Sequence, residues 1–204
     1  MNNYELLHKQ KYLQLNNFCD VGKYIIDPKD VPFESYSKDF RFNITHNEDN
    51  QVPGSSSHYN DPKYKSIQFE IKQKLQDILG KKLFKTYYFD RIYYEGQVLF
   101  PHFDRPSCQI SITMHLNSNI SKPWPLGFVD ENGKEKYVEM NSGDAVLYLG
   151  CDVEHFRNSL RSRYGKRQQF IRNLLKKKDD TYYHQIFFHY VYADGKFSHF
   201  ANDS

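Results

Sequence analysis

The 204-residue sequence predicts a mainly β fold, α+β in class, with strands in two facing sheets and supporting helices near the N-terminus. Three observations lead there. From Leu83 onward, short apolar runs are separated by Gly, Pro, Asn and Asp turns, as in sandwiches and barrels. One strongly amphipathic helical stretch precedes them. Aromatic residues are abundant, 17 Tyr and 16 Phe against one Trp, and such side chains suit pleated surfaces and packed cores. About eight strands of this kind close into a jelly roll, the double-stranded β-helix.

Taken in order, residues 1–20 hold the apolar points of a short helix at Leu6, Leu7, Leu13 and Leu15. Residues 24–27 read as a strand closed by Pro28, and residues 27–62 as Asp-, Asn-, Ser- and Pro-rich loops that cover one end of the barrel and contain His46 and His58. Residues 1–62 therefore read as an irregular extension packed on the barrel, and residues 63–204 as the β domain, one structural domain overall. In residues 63–79, Ile67, Ile71, Leu75, Ile78 and Leu79 fall on one stripe of a 3.6-residue period, with Pro62 before the helix and Gly80 after it. Strands are expected at 83–89, 91–94, 98–103, 109–117, 126–129, 137–140, 145–149, 153–157 and 185–192, with Gly96 and Gly133 in hairpin turns. Residues 161–180 form a basic insertion before the last strand, in which Phe170, Ile171, Leu174 and Leu175 are expected to pack down as a helix whose charged face is solvated.

Composition narrows the function. A net charge of +3 is too small to argue nucleic-acid binding, for which the insertion at 161–180 is the only hint. Cys19, Cys108 and Cys151 are odd in number and form no CxxC pair, which speaks for a reducing compartment and against a disulfide framework or structural zinc. The N-terminus lacks an apolar h-region, and no apolar run approaches the ~18 residues of a membrane span. The expectation is a soluble, intracellular (cytoplasmic) protein with no membrane partner.

The stretch that carries chemistry is RIYYEGQVLFPHFDRPSCQISITMHL, residues 91–116. His102 and Asp104 stand two apart, so on an extended strand they share a face. One imidazole and one carboxylate make two thirds of a 2-His-1-carboxylate triad, which leaves coordination positions open. The third ligand must come from far along the chain. His155, 51 residues past Asp104 and behind the Gly143-Asp144 turn, is the candidate, and His115, His184 and His189 compete for the place. Zinc accepts the same ligand types, so these residues alone do not choose the metal.

The ordered combination RIYYEGxxxxPHFD, SITMHL, GDAVLY and a distal His, within residues 87–192, resembles the Fe(II)- and 2-oxoglutarate-dependent oxygenases, most closely their prolyl-4-hydroxylase-like branch. The resemblance implies Fe(II) at His102, Asp104 and His155, with 2-oxoglutarate and O2 as cosubstrates and ascorbate as an accessory reductant. It also implies hydroxylation of a C–H bond with release of succinate and CO2, in a protein or peptide prolyl residue or in a small molecule. Asp104 stands where related halogenases carry a small residue, which favours hydroxylation. A jelly-roll module that binds metal or ligand without catalysis is the competing reading. The chain departs from the branch by having Leu99 for a Tyr three residues before the first His, and His184 for a Lys or Arg on the last strand. Arg157, two residues past His155 on the same strand face, is the substitute for the cation that holds the cosubstrate's distal carboxylate. Tyr93 and Ser111 match family positions near the cosubstrate, and Arg105 is a further candidate. Trp124 walls the pocket or caps the core.

Overall fold

A computed structural model describes residues 1–21 and 51–203. The strand expected at 24–27, most of the loop segment and His46 lie outside the described residues. Two antiparallel sheets face each other as a jelly roll. The larger has six strands: β1 (Tyr12–Leu15), β2 (Ser56–Tyr59), β3 (Leu83–Tyr94), β5 (Ile110–Ser118), β8 (Ala145–Tyr148) and β10 (Tyr182–Tyr192), in the spatial order β1-β8-β5-β10-β3-β2. The smaller holds β4 (Leu99–His102), β6 (Leu126–Val129), β7 (Glu135–Val138) and β9 (Glu154–Arg157), in the order β4-β9-β6-β7.

Helix α1 (Asn3–Gln10) opens with a capping box between Asn2 and Glu5 and stops where Lys11 turns left-handed at φ 69°. The helical reading of 1–20 thus holds only for its first half. Residues 12–15 alternate instead, and β1 pairs with β8. Leu13 enters the core on one face while Tyr12 stacks on Phe128 at 4.4 Å on the other. Likewise Ser56–Tyr59, in the stretch read as loop, pairs with β3 along its backbone. Helix α2 (Lys65–Leu79) buries Ile67, Ile71, Leu75 and Leu79 and ends at Gly80, whose φ of 62° and N–H to the Gln76 carbonyl close the last turn.

The sequence breaks at Asp90, yet β3 runs through it without interruption. Asp90 is fully buried and accepts a 2.8 Å hydrogen bond from His184 Nε2, so the carboxylate is satisfied inside the strand. Gly96 turns at φ 82°, but β3 and β4 do not form a hairpin; the turn carries the chain from one sheet to the other. Strand parity then separates two cores. Leu83, Tyr88, Ile112, Met114, Ile186, Phe188 and Tyr190 meet α1 and α2 on the outer face of the large sheet. Tyr87, Phe89, Tyr93, Tyr183 and Phe187 point the other way, into the space between the sheets.

The outer core sets the stability. Leu75→Ala, which empties a site with 0% exposure, is expected to cost about 2–5 kcal/mol in urea unfolding. Phe69→Ala on the exposed face of α2 should change stability by less than about 0.5 kcal/mol.

Candidate metal and active site

Strands β4 and β9 pair at Leu99 with Arg157 and at His102 with His155, with an irregularity between. That register sets the two imidazoles side by side, ring centroids 4.3 Å apart. Asp104 leaves the strand but is drawn back by its own N–H, which donates to the Gly150 carbonyl at 2.9 Å. Its Oδ1 lies 3.7 Å from His102 Nε2 and 3.6 Å from His155 Nε2. The three ligand atoms lie within 4.8 Å of one another.

Both histidines are oriented in the same way. His102 Nδ1 donates to the Phe100 carbonyl at 2.8 Å and His155 Nδ1 to the Val153 carbonyl at 3.1 Å. Each Nε2 is therefore a lone pair turned toward Asp104, the tautomer a metal ligand needs. Burial holds the His155 pKa below its ordinary value, with Asp104 opposing the shift and His102 adding to it, so this ring stays neutral. Asp104 Oδ2 accepts from the Ser111 hydroxyl at 2.9 Å, and that hydroxyl accepts from His189 Nδ1 at 2.9 Å. A β-carbon at Gly150 would overlap Asp104 Oδ2 and the Cys108 carbonyl, so only glycine leaves room for the carboxylate. Asp104, Cys108 and His189 also converge, but burial pushes the Cys108 thiol up to about 12, which withholds the thiolate a metal requires.

A cavity of about 380 Å³ adjoins this cluster, lined in part by Arg91, Thr113, Tyr148, Phe187 and His189. Arg91 is 1% exposed and donates to the Tyr93 hydroxyl at 3.1 Å and to Gln51 Oε1 at 3.0 Å. The Gln51 amide nitrogen reaches His102 Nε2 at 2.7 Å. Thr113 Oγ1 is buried without a hydrogen-bond partner among the described residues.

Of the residues singled out in the sequence, His102, Asp104 and His155 come together. The others divide. Arg157 is fully buried beneath Trp124 and Tyr183, donates to the Trp124 carbonyl and to Gln185 Oε1 at 2.8 Å, and does not line the cavity. Trp124 belongs to that core and donates to the Asn158 carbonyl at 2.8 Å. His184 is on the helix-facing side of β10, bound to Asp90. Ser111 touches Asp104, and Tyr93 supports Arg91. Arg105 is over the Tyr87 ring at 4.4 Å, at the rim. The sequence reading passed over Arg91, Gln51, Gly150 and Thr113. For Arg91 the signal was present: it stands two residues before Tyr93 and so shares its strand face.

No protein-family model and no curated protein matches the sequence. Solved structures match the fold. A Pseudomonas putida prolyl-4-hydroxylase aligns at 13% identity and TM-score 0.55, over 91% of this chain and 96% of that one. The chain has the fold of the 2-oxoglutarate- and Fe(II)-dependent oxygenases. A Trichoplax adhaerens prolyl hydroxylase, solved with a peptide fragment of the hypoxia inducible factor oxygen degradation domain, aligns at 12% and 0.56, over 92% of this chain and 86% of that one. The non-heme α-ketoglutarate-dependent epimerase SnoN from nogalamycin biosynthesis aligns at 10% and 0.58, over 91% and 79%.

If the cluster binds metal, Gly150→Ala is expected to weaken Fe(II) or Ni(II) affinity about 10- to 100-fold by displacing Asp104, and His155→Ala to abolish binding, both read by calorimetry. His189→Ala should retain metal.

Proposed function

We propose that this protein is an Fe(II)- and 2-oxoglutarate-dependent dioxygenase that hydroxylates a C–H bond. The observation that carries the reading is the convergence of two oriented Nε2 lone pairs and one carboxylate beside a cavity that also holds a buried guanidinium. His102, Asp104 and His155 are the metal ligands in this reading. The donor set fits: two neutral imidazoles and one acid, with Asp104 Oδ2 already engaged by Ser111 and Oδ1 left for an ion. Bound iron would supply O2 activation, coupled to decarboxylation of 2-oxoglutarate to succinate and CO2.

The chain's own residues account for cosubstrate binding. Arg91 is the cation for the distal carboxylate, because it lines the cavity while Arg157 does not. The unpartnered Thr113 hydroxyl donates the second hydrogen bond, and Tyr93 holds the guanidinium in place. Phe89, Phe187, Leu99 and Leu126 exclude water around that carboxylate. Ser111 and His189 fix the acid, and His184 serves the fold. The cavity lining includes the exposed side chains of Tyr59 and Phe103. Such an aromatic edge suits an apolar ring such as a prolyl residue in a peptide, the ligand class of the Trichoplax neighbour. Protein or peptide is therefore the substrate class we favour over a small metabolite.

Anaerobic addition of Fe(II) and then 2-oxoglutarate should raise the weak visible charge-transfer band of a chelated keto acid. No band, together with no uncoupled succinate, would leave a non-catalytic binding module. Arg91→Leu is expected to raise the 2-oxoglutarate requirement about tenfold or more while keeping metal affinity. Arg157→Leu should mainly lower the melting temperature; a cosubstrate defect confined to that variant would return the role to Arg157. In a panel of prolyl peptides and small metabolites, succinate release should respond to peptides, and a response to metabolites alone would reverse the substrate assignment.

A further inference from the structure

The insertion between β9 and β10 is built inside out. Residues 161–178 contain eight of the chain's 28 Lys and Arg residues and none of its 25 acids, so the remainder holds 20 cations against 25 acids. Two carboxylates pin its foot. Asp179 accepts from Ser162, and Asp180 accepts from Arg163 at 3.0 Å and from the Tyr164 hydroxyl at 2.7 Å. Between these anchors helix α3 (Lys166–Leu174) buries no residue. Its half-buried side chains are Gln169 and Arg172, and the Arg172 guanidinium packs over the Tyr164 ring at 4.1 Å. Phe170, Ile171, Leu174 and Leu175, expected from the sequence to pack down, are instead between 54% and 75% exposed.

Helical geometry makes the inversion explicit. At about 100° per residue, Phe170, Leu174 and Ile171 share an arc of roughly 100°, opposite the direction of Gln169 and Arg172. A helix that packs on its own domain turns its apolar arc inward; α3 turns it to solvent. Lys166 and Arg167 stand at one end of this arc, and Lys176, Lys177 and Lys178 follow the other.

We propose that α3 is an interfacial helix that docks on an anionic lipid surface. Its apolar arc enters the headgroup boundary and the flanking lysines and arginines meet the lipid phosphates and carboxylates, the combination that holds amphipathic helices in the plane of a bilayer. No spanning segment is required, and among the described residues no helix is long and apolar enough to cross a membrane. A second copy of the chain is disfavoured as occupant because it would bring eight cations against eight. Nucleic acid is disfavoured because phosphates would satisfy the cations while facing four apolar side chains. The excess of acids over cations in the rest of the sequence favours an approach with this insertion toward negative headgroups. The insertion joins β10 at Tyr182, while His189 of the site is seven residues further along the strand, about 23 Å away. Docking by α3 uses none of the residues that line the cavity.

The test is co-sedimentation of the full chain with phosphatidylcholine vesicles, with and without phosphatidylserine. Binding should be about tenfold stronger with phosphatidylserine and should weaken with salt. The double substitution Phe170→Ser and Leu174→Ser, both in solvent, should keep the wild-type melting temperature and lose about tenfold in vesicle binding. Replacing Lys176 and Lys177 by Ala should cost about fivefold per cation. Equal sedimentation with both vesicle types, or unchanged binding by the Phe170/Leu174 variant, would overturn the proposal. So would binding to single-stranded DNA or concentration-dependent dimerisation without vesicle binding.

Discussion

The period of two along β3, β5 and β10 decides which side chains can reach the site. On β10, Tyr183, Gln185, Phe187 and His189 face the space between the sheets, while His184, Ile186, Phe188 and Tyr190 face α2 or its flanks. On β3, Phe89, Arg91 and Tyr93 share the inner face, and Tyr88 and Asp90 the outer. A shift of one residue in β3 would exchange Arg91 for Asp90 at the cavity and place a carboxylate where the guanidinium now stands. The large sheet therefore carries fold residues on one side and reactive groups on the other. Helix α2 contributes to the site only by fixing that register.

Within the inner face, the ligand cluster is held by main-chain groups more than by side chains. Two carbonyls, of Phe100 and Val153, fix the tautomers of His102 and His155, and a third, of Gly150, accepts the Asp104 N–H. Of these, the Phe100 carbonyl belongs to β4, while those of Gly150 and Val153 belong to the turn that leads into β9. The side chain of Ser111 then decides which carboxylate oxygen remains for an ion, and His189 decides the direction of the Ser111 hydrogen. The His189 pKa, pushed down to about 4 chiefly by burial, keeps that ring neutral and uncharged beside the cluster.

The two-sheet architecture and α2 were legible in the sequence from their periodicities, and the pairing of His102 with Asp104 from a two-residue spacing; His155, 51 residues on, was legible from the glycine turn before it and the family resemblance. Arg157 was legible as an inward residue but not as a core one: parity with His155 gives its direction and says nothing about depth, and Trp124, Tyr183 and Gln185 enclose it. Arg91 stood in an expected strand with Tyr93 but was not singled out; what the break at Asp90 concealed was the continuity of β3, since a buried acid in a strand looks like a turn until its partner, His184, is known. His184 for its part has no sequence feature that separates a carboxylate ligand from a partner of Asp90. Residues 56–59 lack alternation, and β2 exists because β3 offers a free edge. The direction of α3 could not be read at all, as an amphipathic pattern gives two faces without saying which one meets the protein.

Gln51 bridges two polar groups of the cavity. Its carboxamide accepts from Arg91 at one end and donates to His102 Nε2 at the other, so a single planar group spans the proposed cation and the proposed metal ligand. A lone pair cannot serve an amide hydrogen and a metal ion together, so binding of an ion at His102 must release the Gln51 nitrogen. The bond from the Arg91 guanidinium to the Gln51 carbonyl oxygen already has a charged donor, and a carboxylate at the same place would supply a charged acceptor as well. In the proposed reading, an ion at His102 and a carboxylate at Arg91 therefore act on the two ends of one side chain, Gln51.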